Sequence, residues 1–81
     1  MLQMKLTIHG KVQGVGYRYA VLDKVESEQV VVYGHIQNMP NGVVEIIAQG
    51  SIEALKDLRR IAVEGSLKSK IRDVEEVIQE V

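Results

Sequence analysis

The sequence predicts an α+β domain, an antiparallel sheet with two helices on one face, in the chain order strand, helix, strand, strand, helix, strand. Three observations predict it. Residues Met4 to Gly10 alternate apolar and polar with a period of two and give way, after a glycine-rich stretch, to a helical stripe beginning at Tyr17. Two β-branched runs are joined by Asn38-Met39-Pro40-Asn41-Gly42, which holds the only proline and an Asn-Gly pair suited to reversing the chain. A second helical stripe from Ile52 then leads into a β-branched C-terminal segment.

Taken in order, Met4-Lys5-Leu6-Thr7-Ile8-His9-Gly10 reads as a strand with one buried and one wetter face. The first helix runs from Tyr17 to about Glu28, placing Tyr17, Val21, Leu22 and Val25 inward and Asp23, Lys24 and Glu26 outward. Val30 to Asn38 is the second strand, on the strength of Val30, Val31, Val32, Tyr33 and Ile36, and Val43 to Gln49 is its return. Ser51 can cap a second helix with the stripe Ile52, Leu55, Leu58, Ile61 and Ala62, although the third-position Glu of a full capping box is missing. Gly65 and Ser66 end it. Residues 67 to 81 carry two signals: Ile71, Val74, Val77, Ile78 and Val81 recur at intervals of three, three, one and three, a helical period, while the β-branched content fits a strand.

This order is that of a ferredoxin-like split βαβ sandwich, βαββαβ, in a single domain over residues 1–81. A right-handed crossover makes the first two strands parallel and inserts the hairpin's return strand between them. Arg18, after the first strand, and Asn38, at the end of the second, are thereby delivered to the same edge of the sheet. A direct hairpin would have sent them to opposite ends.

Composition limits the rest. A chain this short buries only about 60 to 65% of its unfolded surface on folding, so its stability is modest. Without cysteine there is no disulfide and no thiol nucleophile, which fits a reducing compartment. The net charge of −1 provides no bulk drive toward nucleic acid, so any anion must be held by a local site. No apolar run approaches the roughly 18 residues of a membrane span and no signal-peptide pattern opens the chain, so the expected location is cytoplasmic.

The local site is Gly10-Lys11-Val12-Gln13-Gly14-Val15-Gly16-Tyr17-Arg18. A glycine-rich turn feeding a helix start can gather backbone N–H groups around an anion, and Arg18 adds a planar guanidinium fork. This stretch resembles, nearly residue for residue, the acylphosphatase signature. Gly34-His35-Ile36-Gln37-Asn38, followed by Gly42, Val44 and Gly50, is similar to the family's second signature, which usually has an aromatic in place of His35 and a smaller residue in place of Ile36.

The resemblance implies a metal-free hydrolase, with no cofactor, that cleaves the carboxyl–phosphate bond of small acyl phosphates by direct water attack. It implies that Arg18 and the backbone of Val12, Gln13, Gly14, Val15, Gly16 and Tyr17 hold the phosphoryl group while Asn38 positions the water. It also implies a fourth strand over about Ile71 to Val77. Between Arg18 and Asn38 the chain has about two residues more than typical members, placed near Glu26 to Gln29, and it stops near the fourth strand where they continue, leaving a sheet edge exposed. The expected partners are the acyl phosphate and inorganic phosphate, as product or inhibitor, acting on a monomer.

Other residues have bland readings. His9 and His35 sit on the solvated sheet face and lack the clustered carboxylates or thiols of a metal site. Lys56, Arg59 and Arg60 form the wet face of the second helix, Lys68, Lys70 and Arg72 guard an edge, and Glu75, Glu76 and Glu80 are a solvated acidic end. Val12, Val15, Tyr17, Leu6 and Ile8 support the loop by packing. The alternative function is a non-catalytic phosphate- or acyl phosphate-binding module that keeps the cradle but has lost productive geometry. RNA binding is weaker still, because neither Tyr17 nor Tyr33 sits in an aromatic-basic stacking motif.

Overall fold

Alternation along the first strand does what a period of two requires: Met4, Leu6 and Ile8 are fully buried while Lys5 stays in water. The computed structural model describes residues 1–81. Its elements are β1 (Leu2–Lys11), α1 (Tyr17–Ser27), β2 (Tyr33–Asn38), β3 (Val44–Gly50), α2 (Ile52–Glu64) and β4 (Lys70–Glu80). The sheet order is β2-β3-β1-β4 with every neighbouring pair antiparallel, so β1 and β2 run parallel on either side of β3. This is the ferredoxin-like βαββαβ fold.

One core lies between the sheet and the helices. Inward residues of β1 meet those of β3 in register, Met4 opposite Ala48, Leu6 opposite Ile46 and Ile8 opposite Val44. Leu55, Leu58, Ile61 and Ala62 of α2 cover them, with Tyr17 and Val21 of α1 beside. The other face is largely polar, held by a hydrogen bond that Gln49 Nε2 donates to Gln3 Oε1 at 3.0 Å and by the Lys5–Glu45 pair at 3.5 Å.

The start of α2 is closed by its own sequence. Ser51 Oγ accepts from the Ala54 N–H at 3.1 Å, and Glu53 in the first turn complements the helix dipole. Tyr17 ties the start of α1 to this helix, its buried hydroxyl donating to the Ala62 carbonyl at 2.6 Å. Burial pushes the Tyr17 phenol far above its ordinary pKa of 10.0, so it remains a neutral donor.

Three expectations need correction. The second strand begins at Tyr33, not Val30, because Gln29 takes a left-handed φ of 56° and the Val30 N–H bonds back to Val25 O at 3.0 Å, which uses that amide to finish α1. β3 also runs out at Gly50, one residue beyond the partner of Tyr33, so it offers one residue opposite Val32 and none opposite Val31 or Val30. Leu22 is 53% exposed and does not join the core, leaving Tyr17 and Val21 as the buried residues of α1. His9 is not simply solvated: its Nε2 lies 2.6 Å from Glu75 across the sheet.

The C-terminal segment is a strand throughout, and the helical period there has a specific cause. β4 pairs with β1 with a register shift between His9 and Gly10, where Asp73 faces His9 but Ile71 faces Gly10, so Arg72 is the extra residue of a bulge. The bulge reverses the phase of alternation. Ile71 and Val74, three apart, therefore both pack on the core. Val77 and Ile78 then fall on opposite faces of an edge strand, opposite Lys5 and Met4 respectively, and both are more than a third exposed.

Candidate active site

Glycine-rich sequence between β1 and α1 forces the chain to turn before the helix can start. Gly14 and Gly16 adopt φ of 72° and 74°, the left-handed region that side chains with a Cβ resist. The space where a Cβ would stand is open at both. What demands glycine there is therefore the backbone path, and the absent side chains leave the outer surface of the turn accessible.

Gly16 is the residue before the first helical position of α1, and it has no side chain to cap the helix; no acidic residue occupies the first turn either. Ala20 is the first to find a helical acceptor, Gly16 O at 3.0 Å. The amides from Gln13 through Tyr19 have no acceptor within the protein. The contrast with α2 is informative: one helix closes its N-terminus with Ser51 and Glu53, the other leaves it open, positive and lined by free donors.

Beside this terminus is a cleft of about 160 Å³ lined by Val12, Gly14, Gly16, Tyr17, Arg18, Tyr19 and Asn38. Arg18 is exposed and pairs with no carboxylate, whereas Arg59 is held by Glu76 and Arg60 by Glu28 and Glu64. Asn38, the last residue of β2, likewise has no side-chain hydrogen bond to the protein. A free guanidinium, a free carboxamide and free amides thus border one small concave space. Such a space is complementary to a tetrahedral oxyanion.

The expected site residues are placed as follows. Val12, Gly14, Gly16, Tyr17, Arg18 and Asn38 line the cleft, but Gln13 and Val15 do not. Val12 and Tyr17 are buried and reach it from the core side. Val15 faces the other side of the loop, a larger open groove of about 770 Å³ shared with Lys24, Glu64, Ser66 and Lys68, and its carbonyl accepts from Ser66 Oγ at 2.9 Å. That groove contains neither Arg18 nor Asn38, and its Lys24 and Glu64 pair with each other at 3.4 Å, so size alone does not mark the chemistry.

Two contributions were missed in the sequence. Tyr19 lines the cleft from an exposed position one residue past Arg18, with no pattern to signal it. Gln13 turns its side chain away from the cleft and donates both amide hydrogens to the hairpin, to Met39 O and Val43 O at 2.9 Å each. This clasp fastens the loop to the residue next to Asn38. Gln13→Ala is expected to lower stability by about 1–2 kcal/mol and turnover by roughly tenfold, with a smaller loss of phosphate affinity, as read from denaturation and steady-state kinetics.

The model of the acylphosphatase family matches residues 4–80. The chain belongs to the acylphosphatase family. It is 40% identical over 74 residues to the acylphosphatase of Bacillus licheniformis, covering 91% of this chain and 80% of that one. With the acylphosphatase of Helicobacter hepaticus it shares 42% identity over 71 residues, 84% and 74% of the two chains. The crystal structure of the Bacillus subtilis acylphosphatase superposes with a TM-score of 0.90 at 33% identity, covering 100% of this chain and 88% of that one. In this acylphosphatase-family chain, the signature loop and Asn38 are the parts that the cleft brings together.

Proposed function

We propose that the Arg18 cleft is the site at which this single-domain chain, residues 1–81, acts as an acylphosphatase, hydrolysing small acyl phosphates to a carboxylate and inorganic phosphate. The observation that carries the reading is that Arg18 and Asn38, both without partners of their own, line the same cleft beside the uncapped start of α1. Arg18 and the loop amides around Gly14 and Gly16 bind the phosphoryl oxygens, with Gln13 and Val15 contributing through their backbone or by holding the loop's shape. Negative charge spreads over these oxygens as the phosphoryl group transfers, and preorganised donors act on that charge without having to reorient.

Asn38 orients the attacking water. An amide cannot take a proton from water, but its oxygen can accept and its NH₂ can donate, which is enough to aim a nucleophile in line with the bond that breaks. The water oxygen forms a new P–O bond while the bond from phosphorus to the carboxyl oxygen breaks and leaves its electron pair on the carboxylate. The water's proton passes to a phosphate oxygen. A carboxylate is a stable leaving group, so no strong acid is required of the site.

Inorganic phosphate is both product and competitive inhibitor in this scheme, and the enzyme acts as a cytoplasmic monomer. The non-catalytic module is not favoured, since Asn38 is present in the cleft and has no other occupation there. Hydrolysis of a synthetic aromatic acyl phosphate in ¹⁸O-labelled water is the test. Label is expected in phosphate. Label in the carboxylate, or a trapped phosphorylated residue, would overturn direct attack at phosphorus.

A further inference from the structure

The cleft is too small to hold more than the phosphoryl end of a substrate, so the surface adjoining it decides which acyl groups are accommodated. On one side, across Gly14 and Gly16, is the open groove lined by the charged Lys24, Glu64 and Lys68, with Val15, Ala20 and Leu67 as its apolar residues. The other side differs. Arg18 and Tyr19 are shared between the cleft and a second groove of about 290 Å³ that continues to Leu22 and Ile36. Leu22 and Ile36 also line a cavity of about 130 Å³ between α1 and strands β2 and β3, with Val21, Val25, Val32 and Leu58 among its walls. His35 is the only polar residue along that cavity, and because it pairs with Ile47 and not with the buried Ile46, its side chain lies on the opposite face of the sheet.

The reason for this slot lies in the way α1 sits. Tyr17 and Val21 anchor it in the core, while Leu22 and Val25 are left partly or largely uncovered and β2 has no fully buried residue. The second half of the helix therefore stands off the edge strand. Tyr19 at 84% exposure and Leu22 at 53% form apolar surface with no partner, continuous with the cleft through Arg18. Concave apolar surface with a polar anchor at one end is the usual form of a small-molecule site.

We infer that the path from Arg18 along Tyr19, Leu22 and Ile36 into the slot is the acyl subsite, and that it selects acyl phosphates with unbranched aliphatic chains over acetyl phosphate. This rests on reading the Arg18 cleft as the phosphoryl site. With the phosphoryl group held there, an acyl chain leaving along Tyr19 enters a surface that rewards each added methylene, whereas a charged or strongly polar acyl group finds no polar side chain in the slot.

The test uses non-hydrolysable n-alkylphosphonates from methyl to octyl, titrated calorimetrically, with inorganic phosphate as the reference ligand. Affinity is expected to rise roughly threefold per methylene until the slot is filled. Leu22→Gln and Ile36→Thr, both at solvent-reaching positions, are expected to reduce the hexyl-to-methyl affinity ratio at least tenfold. A series independent of chain length with phosphate still bound, or an unchanged ratio in both variants, would overturn the subsite and leave the Arg18 reading intact. Failure to bind phosphate and every phosphonate alike would overturn the phosphoryl site itself and the subsite with it.

Discussion

Arg18→Ala is expected to lower kcat/KM for an acyl phosphate by about a thousandfold or more and to weaken inhibition by inorganic phosphate at least tenfold. The size follows from what is removed. A guanidinium facing a transferring phosphoryl group commonly contributes about 10³ to 10⁵ in rate, because it meets charge that is larger and more dispersed in the transition state than in the substrate. Here it is also the only cationic side chain lining the cleft, so nothing inherits its role. The fold should not notice: Arg18 is exposed and pairs with no carboxylate, and the change in stability is expected to stay within about 0.5 kcal/mol. Arg18→Lys should recover little, since a point charge on a flexible stem cannot reproduce a bidentate fork. Thermal denaturation beside steady-state kinetics checks both halves. An Arg18→Ala protein with near-normal turnover would show that the cleft is not the site.

Asn38→Ala is expected to give the complementary pattern. Turnover should fall by about 10² to 10³, the scale of losing one well-placed polar group at a reacting centre, while the inhibition constant for phosphate changes no more than about threefold. The reason is a division of labour: the loop and Arg18 meet the phosphoryl oxygens in substrate and product alike, whereas Asn38 meets the nucleophile. Its side chain makes no hydrogen bond to the protein, so its removal leaves no orphaned partner and the hairpin remains held by the Gln13 clasp and the Met39 to Val43 bond at 2.9 Å. A parallel loss of phosphate affinity and turnover would assign Asn38 to phosphate binding instead.

Much of this protein could be read from local chemistry. The Asn41-Gly42 turn, the Ser51 cap and the stripe from Leu55 to Ala62 each specify an element through interactions within a few residues, and each appears where the pattern places it. Elements whose form depends on a distant partner were harder. Val30 to Val32 have every propensity for a strand, yet their place in the sheet depends on where β3 ends and on how α1 terminates. Ile71 to Val81 mimic a helix because a bulge opposite His9 and Gly10 resets their alternation, and a bulge is a property of two strands together.

The site divides along the same line. Glycines at 14 and 16, the arginine that follows them and the asparagine closing a β-branched run determined the loop, its donors and the candidate side chains, because backbone freedom and functional-group chemistry belong to single residues. Tertiary structure alone decided that Gln13 grips the hairpin, that Tyr19 borders the cleft and that Leu22 and Ile36 continue it, since each depends on surfaces from separate elements meeting. No periodicity along a chain encodes the gap between a helix and an edge strand; that distance is set by which of their side chains the rest of the core admits.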